Sequence, residues 1–305
     1  MCKIFTALCI LIVFYNPLLS QPATDIYIAD LKIEDGHIEV GSLLNITNRD
    51  GYDNQPMFLP DGKRLLYTSI RKDGQADIYQ YNSHTKSTIR ITQTEESEYS
   101  PTVMPDGNHF STVRVEADSA QRLWKFSLDG GEASLLLEKI KPVGYHAWGS
   151  RHMVALFVLG SPNSLYLADI RNGMNEKVSE SIGRSLHKIP DRDAISFVLK
   201  VSENDWWIKK LELEGRKIIP LVQTLEGSED YAWTPGRSIL MAQGSKLFKW
   251  KSDKDQNWIE VADFKKAGLT GITRIAVSPT GDKIALVSTE SQLNSRSLYR
   301  FIVRC

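Results

Sequence analysis

Polar and apolar residues alternate with a period of two along five short stretches of the chain. These are Asp77–Ile78–Tyr79–Gln80–Tyr81, Arg122–Leu123–Trp124–Lys125–Phe126, Ser164–Leu165–Tyr166–Leu167–Ala168, Trp206–Trp207–Ile208–Lys209–Lys210 and Lys246–Leu247–Phe248–Lys249–Trp250. Alternation of this kind, rich in aromatics, predicts half-buried β-strands. Helical repeats would set apolar residues three and four apart, whereas here the aromatic positions lie two apart. Most of these stretches follow an apolar or β-branched run such as Arg64–Leu65–Leu66–Tyr67–Thr68. A weaker run such as Thr88–Ile89–Arg90–Ile91–Thr92 comes after the first.

A turn punctuates the pattern. Gln55–Pro56–Met57–Phe58–Leu59–Pro60–Asp61–Gly62–Lys63 is echoed by Ser100–Pro101–Thr102–Val103–Met104–Pro105–Asp106–Gly107 and by Ala276–Val277–Ser278–Pro279–Thr280–Gly281. Proline fixes φ and glycine tolerates positive φ, so each reads as a tight turn closing a short first strand. Eroded copies lie at Ser150, Pro190 and Pro235, and the anchors 60, 105, 150, 190, 235 and 279 are spaced by 45, 45, 40, 45 and 44 residues. Six units of four strands at this period predict an all-β, six-bladed β-propeller with four-stranded blades. The N-terminal segments Asp25–Asp30 and His37–Val40 precede the first full unit, and the last unit has clear first and second strands. The economical expectation is that N-terminal strands complete the last blade. Ser297–Phe301 also reads as a strand, and the pattern leaves open whether it competes for that place.

Charge and cysteine content narrow the function classes. Lys+Arg and Asp+Glu are both 37, so the basic excess of a nucleic-acid binder is missing. Residues 1–20 carry Lys3, then an apolar run from Ile4 to Tyr15, then a break at Asn16–Pro17 before Ser20. This predicts a secretory signal peptide over 1–20 and a single propeller domain over 21–305, with the chain in the periplasm or secreted. About a dozen apolar residues are too few for a comfortable membrane span, so none is expected. Cys2 and Cys9 fall within the signal, leaving Cys305 alone and no intramolecular disulfide in the mature chain.

The repeat Gln55–Pro56–Met57–Phe58–Leu59–Pro60–Asp61–Gly62–Lys63, followed by Asp77–Ile78–Tyr79, resembles the signature of TolB-like (WD-repeat-like) propellers. The resemblance is strong in the first, second and sixth units and weaker between them. It implies a bacterial envelope protein that serves as a platform for a protein or peptide partner; separately, a monomer is expected. It covers the propeller part only, since the namesake's additional N-terminal α/β domain has no counterpart before Asp25.

Candidate chemistry centres on the start of each first strand, which in a propeller lines one mouth of the central channel. Aligning the units on their turns gives one ring of Gln55, Ser100, Tyr145, Ser185, Asp230 and Arg274, and a preceding ring of Asn54, Tyr99, Gly144, Arg184, Glu229 and Thr273. Asp53 and Glu98 sit outside these, His146 and His187 slightly deeper. The candidate binding residues are Asn54, Gln55, Glu98, Tyr99, Tyr145, His146, Arg184, Glu229, Asp230 and Arg274. They could grip a peptide, a sugar or a loop, or they could pair with one another around a water-filled channel. His146 and His187 occupy non-equivalent positions and lack His-x-His or His-Glu-x-x-His spacing, so no metal or other cofactor is expected. No Gly-x-Ser-x-Gly motif is present, and Gly160–Ser164 reads as a hairpin turn. Glu95–Glu96 reads as a solvated loop pair. Binding is therefore favoured over catalysis, with a carbohydrate-active or metal-dependent lyase-like enzyme, or a small-ligand sensor, as the alternatives.

Overall fold

A computed structural model describes residues 22–289. The predicted signal peptide and the Ser297–Phe301 strand lie outside the described residues. Within them the chain is almost wholly β; one 3₁₀ turn, Lys265–Ala267, is the sole helical element. Four consecutive antiparallel sheets of four strands span Ser97–Leu135, Val143–Glu180, Ile182–Gln223 and Tyr231–Asp263. A nine-stranded sheet joins the four strands of Tyr52–Arg90 to Ile272–Val277, Lys283–Thr289 and the N-terminal strands. Its two halves touch through a single parallel pair, Thr24 with Tyr52.

The first strands form a closed circuit. Tyr52–Phe58 packs on Ser97–Val103, and the contact passes in turn to Val143–Trp148, Ile182–Lys188, Tyr231–Trp233 and Ile272–Val277, which packs back on Tyr52–Phe58. Sheets thus radiate from a common axis, and their second strands are buried on both faces while the outermost are largely exposed. The second strands show why their sequence reads as a nearly unbroken apolar run. Leu65 and Tyr67 face one neighbouring sheet while Leu66 faces the other. Ile284 and Leu286 likewise split from Ala285 and Val287. Each core is therefore a seam between successive sheets, interleaved at period two.

The predicted turns form where the sequence places them. Gly62, Gly107 and Gly281 donate their N–H groups back to Leu59, Met104 and Ser278 at 2.9, 3.0 and 2.9 Å. The Asp61 carboxylate accepts the N–H groups of Lys63 and Arg64 at 2.9 and 3.0 Å, which explains the aspartate of the motif. Arg237 stands where the intact motif has glycine and takes the same left-handed conformation, φ 62°.

The N-terminal strand Thr24–Glu34 pairs along Thr24–Asp30 with Thr289–Lys283, so the two ends of the described chain are zipped together. Ile26 and Ile28 enter one seam, Ala29 and Leu31 the next. His37–Val40 folds back on Leu31–Glu34. Among the described residues no helix is long and apolar enough to cross a membrane.

Candidate functional site

A cavity of about 210 Å³ opens where the first strands converge. Each aligned ring residue lines it: Gln55, Ser100, Tyr145, Ser185, Asp230 and Arg274. The backbone helps aim them. In five first strands the pairing with the second strand slips at this level, and Gln55 and Ser100 take left-handed φ of 59° and 55°. Such bulges bend a strand and redirect side chains, and no periodicity in the sequence announces them.

The candidate residues divide into three groups. Tyr145, His146, Arg184, Asp230 and Arg274 meet at the cavity together with Gln55, while Glu229 lies in an adjoining recess of about 180 Å³. Asn54, Glu98 and Tyr99 line neither space. Asn54 accepts the N–H of Gln55 at 2.7 Å. Gln55 in turn accepts from the Thr68 hydroxyl and from the Ser100 N–H, both at 2.7 Å, tying two neighbouring sheets. Glu98 is fully buried, accepts from Thr94 at 2.5 Å, and lies 3.5 Å from Arg114. Burial pushes its carboxyl up to about 7 against that hydrogen bond.

Ion pairing at the mouth is uneven. Arg184 donates to Asp230 through Nη2 at 2.5 Å and Nε at 3.2 Å, and stands 3.6 Å from Glu229. Glu229 also holds Lys200 at 3.0 Å, and that ammonium sits 3.9 Å over the Trp206 ring. Arg274 is served less well. Its guanidinium lies 3.9 Å from Asp230 and 3.5 Å from the Tyr145 hydroxyl, with its Nε buried and unpartnered.

Both histidines are kept neutral by burial, His146 held down to about 3 and His187 to about 4. His146 meets the Ser111 hydroxyl at 2.6 Å, which also accepts from Trp148 at 2.9 Å. His187 meets Ser185 at 3.0 Å and lies edge-on to Tyr231, ring centroids 4.6 Å apart. Among the described residues no three of His, Cys, Asp and Glu gather as a metal-binding group.

Sequence reasoning passed over Tyr52 and Lys200. The Tyr52 phenol is raised by burial and sits within the influence of Arg274, Tyr145, Tyr99 and Arg184. It stands three positions before the aligned ring and is buried rather than open to the cavity. Glu96, expected to be solvated, is half-buried and paired with Arg114, because the next sheet supplies the guanidinium. A larger cavity, about 810 Å³, lies on the turn side between two sheets, walled by Trp233 and Leu221 and rimmed by four acidic and four basic side chains.

The profile of the family described as the TolB beta propeller domain matches residues 17–142. No curated protein matches the sequence. Among solved structures, a putative TolB from Agrobacterium tumefaciens is similar with TM-score 0.69 and 16% identity, over 89% of this chain and 99% of that one. TolB from Acinetobacter baumannii is similar with TM-score 0.58 and 12% identity, over 88% of this chain and 64% of that one. An oligogalacturonate lyase in complex with manganese shares the fold at TM-score 0.53 and 12% identity, over 86% of this chain and 78% of that one.

Proposed function

We propose that this chain, a TolB-like β-propeller, is an exported, non-enzymatic platform that binds a protein or peptide of the cell envelope through its channel mouth. The propeller has six blades in this reading. The closed circuit of first strands supports that number, as does the single bridge at which the nine-stranded sheet divides into two blades. The zipped strand Thr24–Asp30 then completes the sixth blade. Export to the periplasm or beyond rests on the charge and apolar pattern of residues 1–20 and on the family likeness. The protein acts as a monomer.

One observation carries the binding role: equivalent positions of every repeat converge on one cavity, and the six are polar and of five different residue types. A repeat protein that needed only a stable channel could reuse one residue at each position. The mixed set Gln55, Ser100, Tyr145, Ser185, Asp230 and Arg274 is instead suited to a ligand without symmetry. Capture from an envelope extract with the purified propeller as bait tests the reading. A specific partner is expected, and the double variant Arg184→Ala, Asp230→Ala should release it without loss of fold. Recovery of no specific partner, or full retention by the double variant, would overturn the proposal.

A further inference from the structure

We infer that the group seated at the channel mouth is a carboxylate of a peptide, received by Arg274 with the neighbouring Tyr145 hydroxyl. This rests on the platform reading and names the chemistry of its ligand. Arg184 takes Asp230 through two hydrogen bonds, at 2.5 and 3.2 Å, and shares Glu229 with Lys200. Those four side chains balance as two cations and two anions. Arg274 is left over, its nearest carboxylate oxygen 3.9 Å away, beyond hydrogen-bond reach.

A guanidinium has five N–H donors and no acceptor, and leaving them unmade away from water is costly. Arg274 has one marginal hydroxyl contact, at 3.5 Å, and a buried Nε with none. The neighbouring ring of Tyr145 lies 5.1 Å from its Cζ and shields that side. The Tyr145 phenol, which lines the cavity beside Arg274, adds an O–H donor to the same space. The free hydrogen-bonding capacity at Arg274 is thus of the donating kind, on a guanidinium whose nearest carboxylate is already hydrogen-bonded to Arg184. A carboxylate, which only accepts and carries one negative charge, complements it and can meet the guanidinium fork with both oxygens. At about 210 Å³ the cavity admits such a group and the side chain bearing it, while the rest of the peptide stays outside.

Calorimetric titration of the purified propeller with small probes provides the test. Acetyl-aspartyl-glycinamide offers a side-chain carboxylate and acetyl-glycyl-glycine a terminal one; acetyl-asparaginyl-glycinamide offers neither. Binding of either carboxylate probe but not the asparagine probe is expected, and which of the two binds tells side chain from terminus. Arg274→Lys keeps the charge without the fork and should weaken binding roughly ten- to hundredfold, the loss of a charge-assisted bidentate contact. Should that variant unfold, Tyr145→Phe decides, with a smaller loss expected. Equal binding of the asparagine probe, binding of galacturonate in place of both peptides, or no effect of either variant would overturn the inference. A partner still captured in full by Arg274→Lys would sink the carboxylate site and leave the platform standing. Probe binding with no captured partner would do the reverse.

Discussion

Glu98 and His146 are buried at neighbouring first strands and respond to pH with opposite signs. Burial raises the Glu98 carboxyl from 4.5 to about 7, so the folded state prefers it protonated. Its contribution to stability is fully present below about pH 4.5 and is lost as pH rises through 7. Burial lowers His146 from 6.5 to about 3, so its contribution is present above pH 6.5 and is lost as pH falls toward 3. His187, held down to about 4, acts in the same direction as His146. Glu98→Gln supplies a permanently neutral isostere. The variant should be more stable than the parent at pH 8, and the difference should vanish toward pH 4.5. Below pH 6.5 the buried histidines should pull its stability down as pH falls. Denaturant titrations at pH 4.5, 6 and 8 measure both effects, and a parallel pair of curves would refute them. Nothing in the letters around Glu98 foretells this, because its burial follows from how the strands pack.

Two seams are fastened by the same device. Ser111 receives His146 and Trp148 from the next sheet, and Ser196 receives Tyr231 and Trp233, in both cases across 35 and 37 residues. A serine on a second strand thus anchors an aromatic-or-histidine, then a tryptophan, on the following first strand. Ser196→Ala would orphan the Tyr231 hydroxyl and the Trp233 indole N–H, each now 2.8 Å from the serine oxygen. The expected cost is about 1–3 kcal/mol for each donor left wholly unsatisfied, less where the half-buried indole reaches water. Urea denaturation with an unchanged slope would register it. A change within the roughly 0.5 kcal/mol of an ordinary surface substitution would show the serine to be idle. The recurring spacing was visible in the chain, but its meaning required knowing that these strands face across a seam.

The ring holds as a whole because its two ends are sewn together. Seven successive residues of the N-terminal strand pair with Lys283–Thr289, and Ile26 within it is fully buried. Ile26→Ala should therefore cost about 2–5 kcal/mol, as for a large-to-small change in a packed core. The loss should appear in one cooperative transition, since the seam joins the first of the described strands to the last. Ile89, 54% exposed on an outer strand, should tolerate the same change within about 0.5 kcal/mol. Calorimetric melts of both variants check the contrast. A separate early transition in the Ile26 variant would mean that the N-terminal strand unfolds on its own.

By itself the sequence determined the strands, their turns and one ring of positions that lines the channel cavity, though not the fate of Asn54, Glu98 and Tyr99, which line neither the cavity nor its adjoining recess. Those properties are local: alternation at period two selects the strand faces, and Pro-Asp-Gly chemistry sets each turn. The ring of Gln55, Ser100, Tyr145, Ser185, Asp230 and Arg274 follows from counting along equivalent repeats, and all of it lines the cavity. Only the tertiary structure decided how those residues spend their hydrogen bonds. Gln55 is consumed in linking two sheets, Asp230 is taken by Arg184, and Arg274 is left with donors to spare. Partners in these contacts sit about 45 residues apart or more, on strands brought together by closure of the ring. Composition lists the charges; their pairing depends on angstrom-scale approach between sheets, which no local pattern encodes.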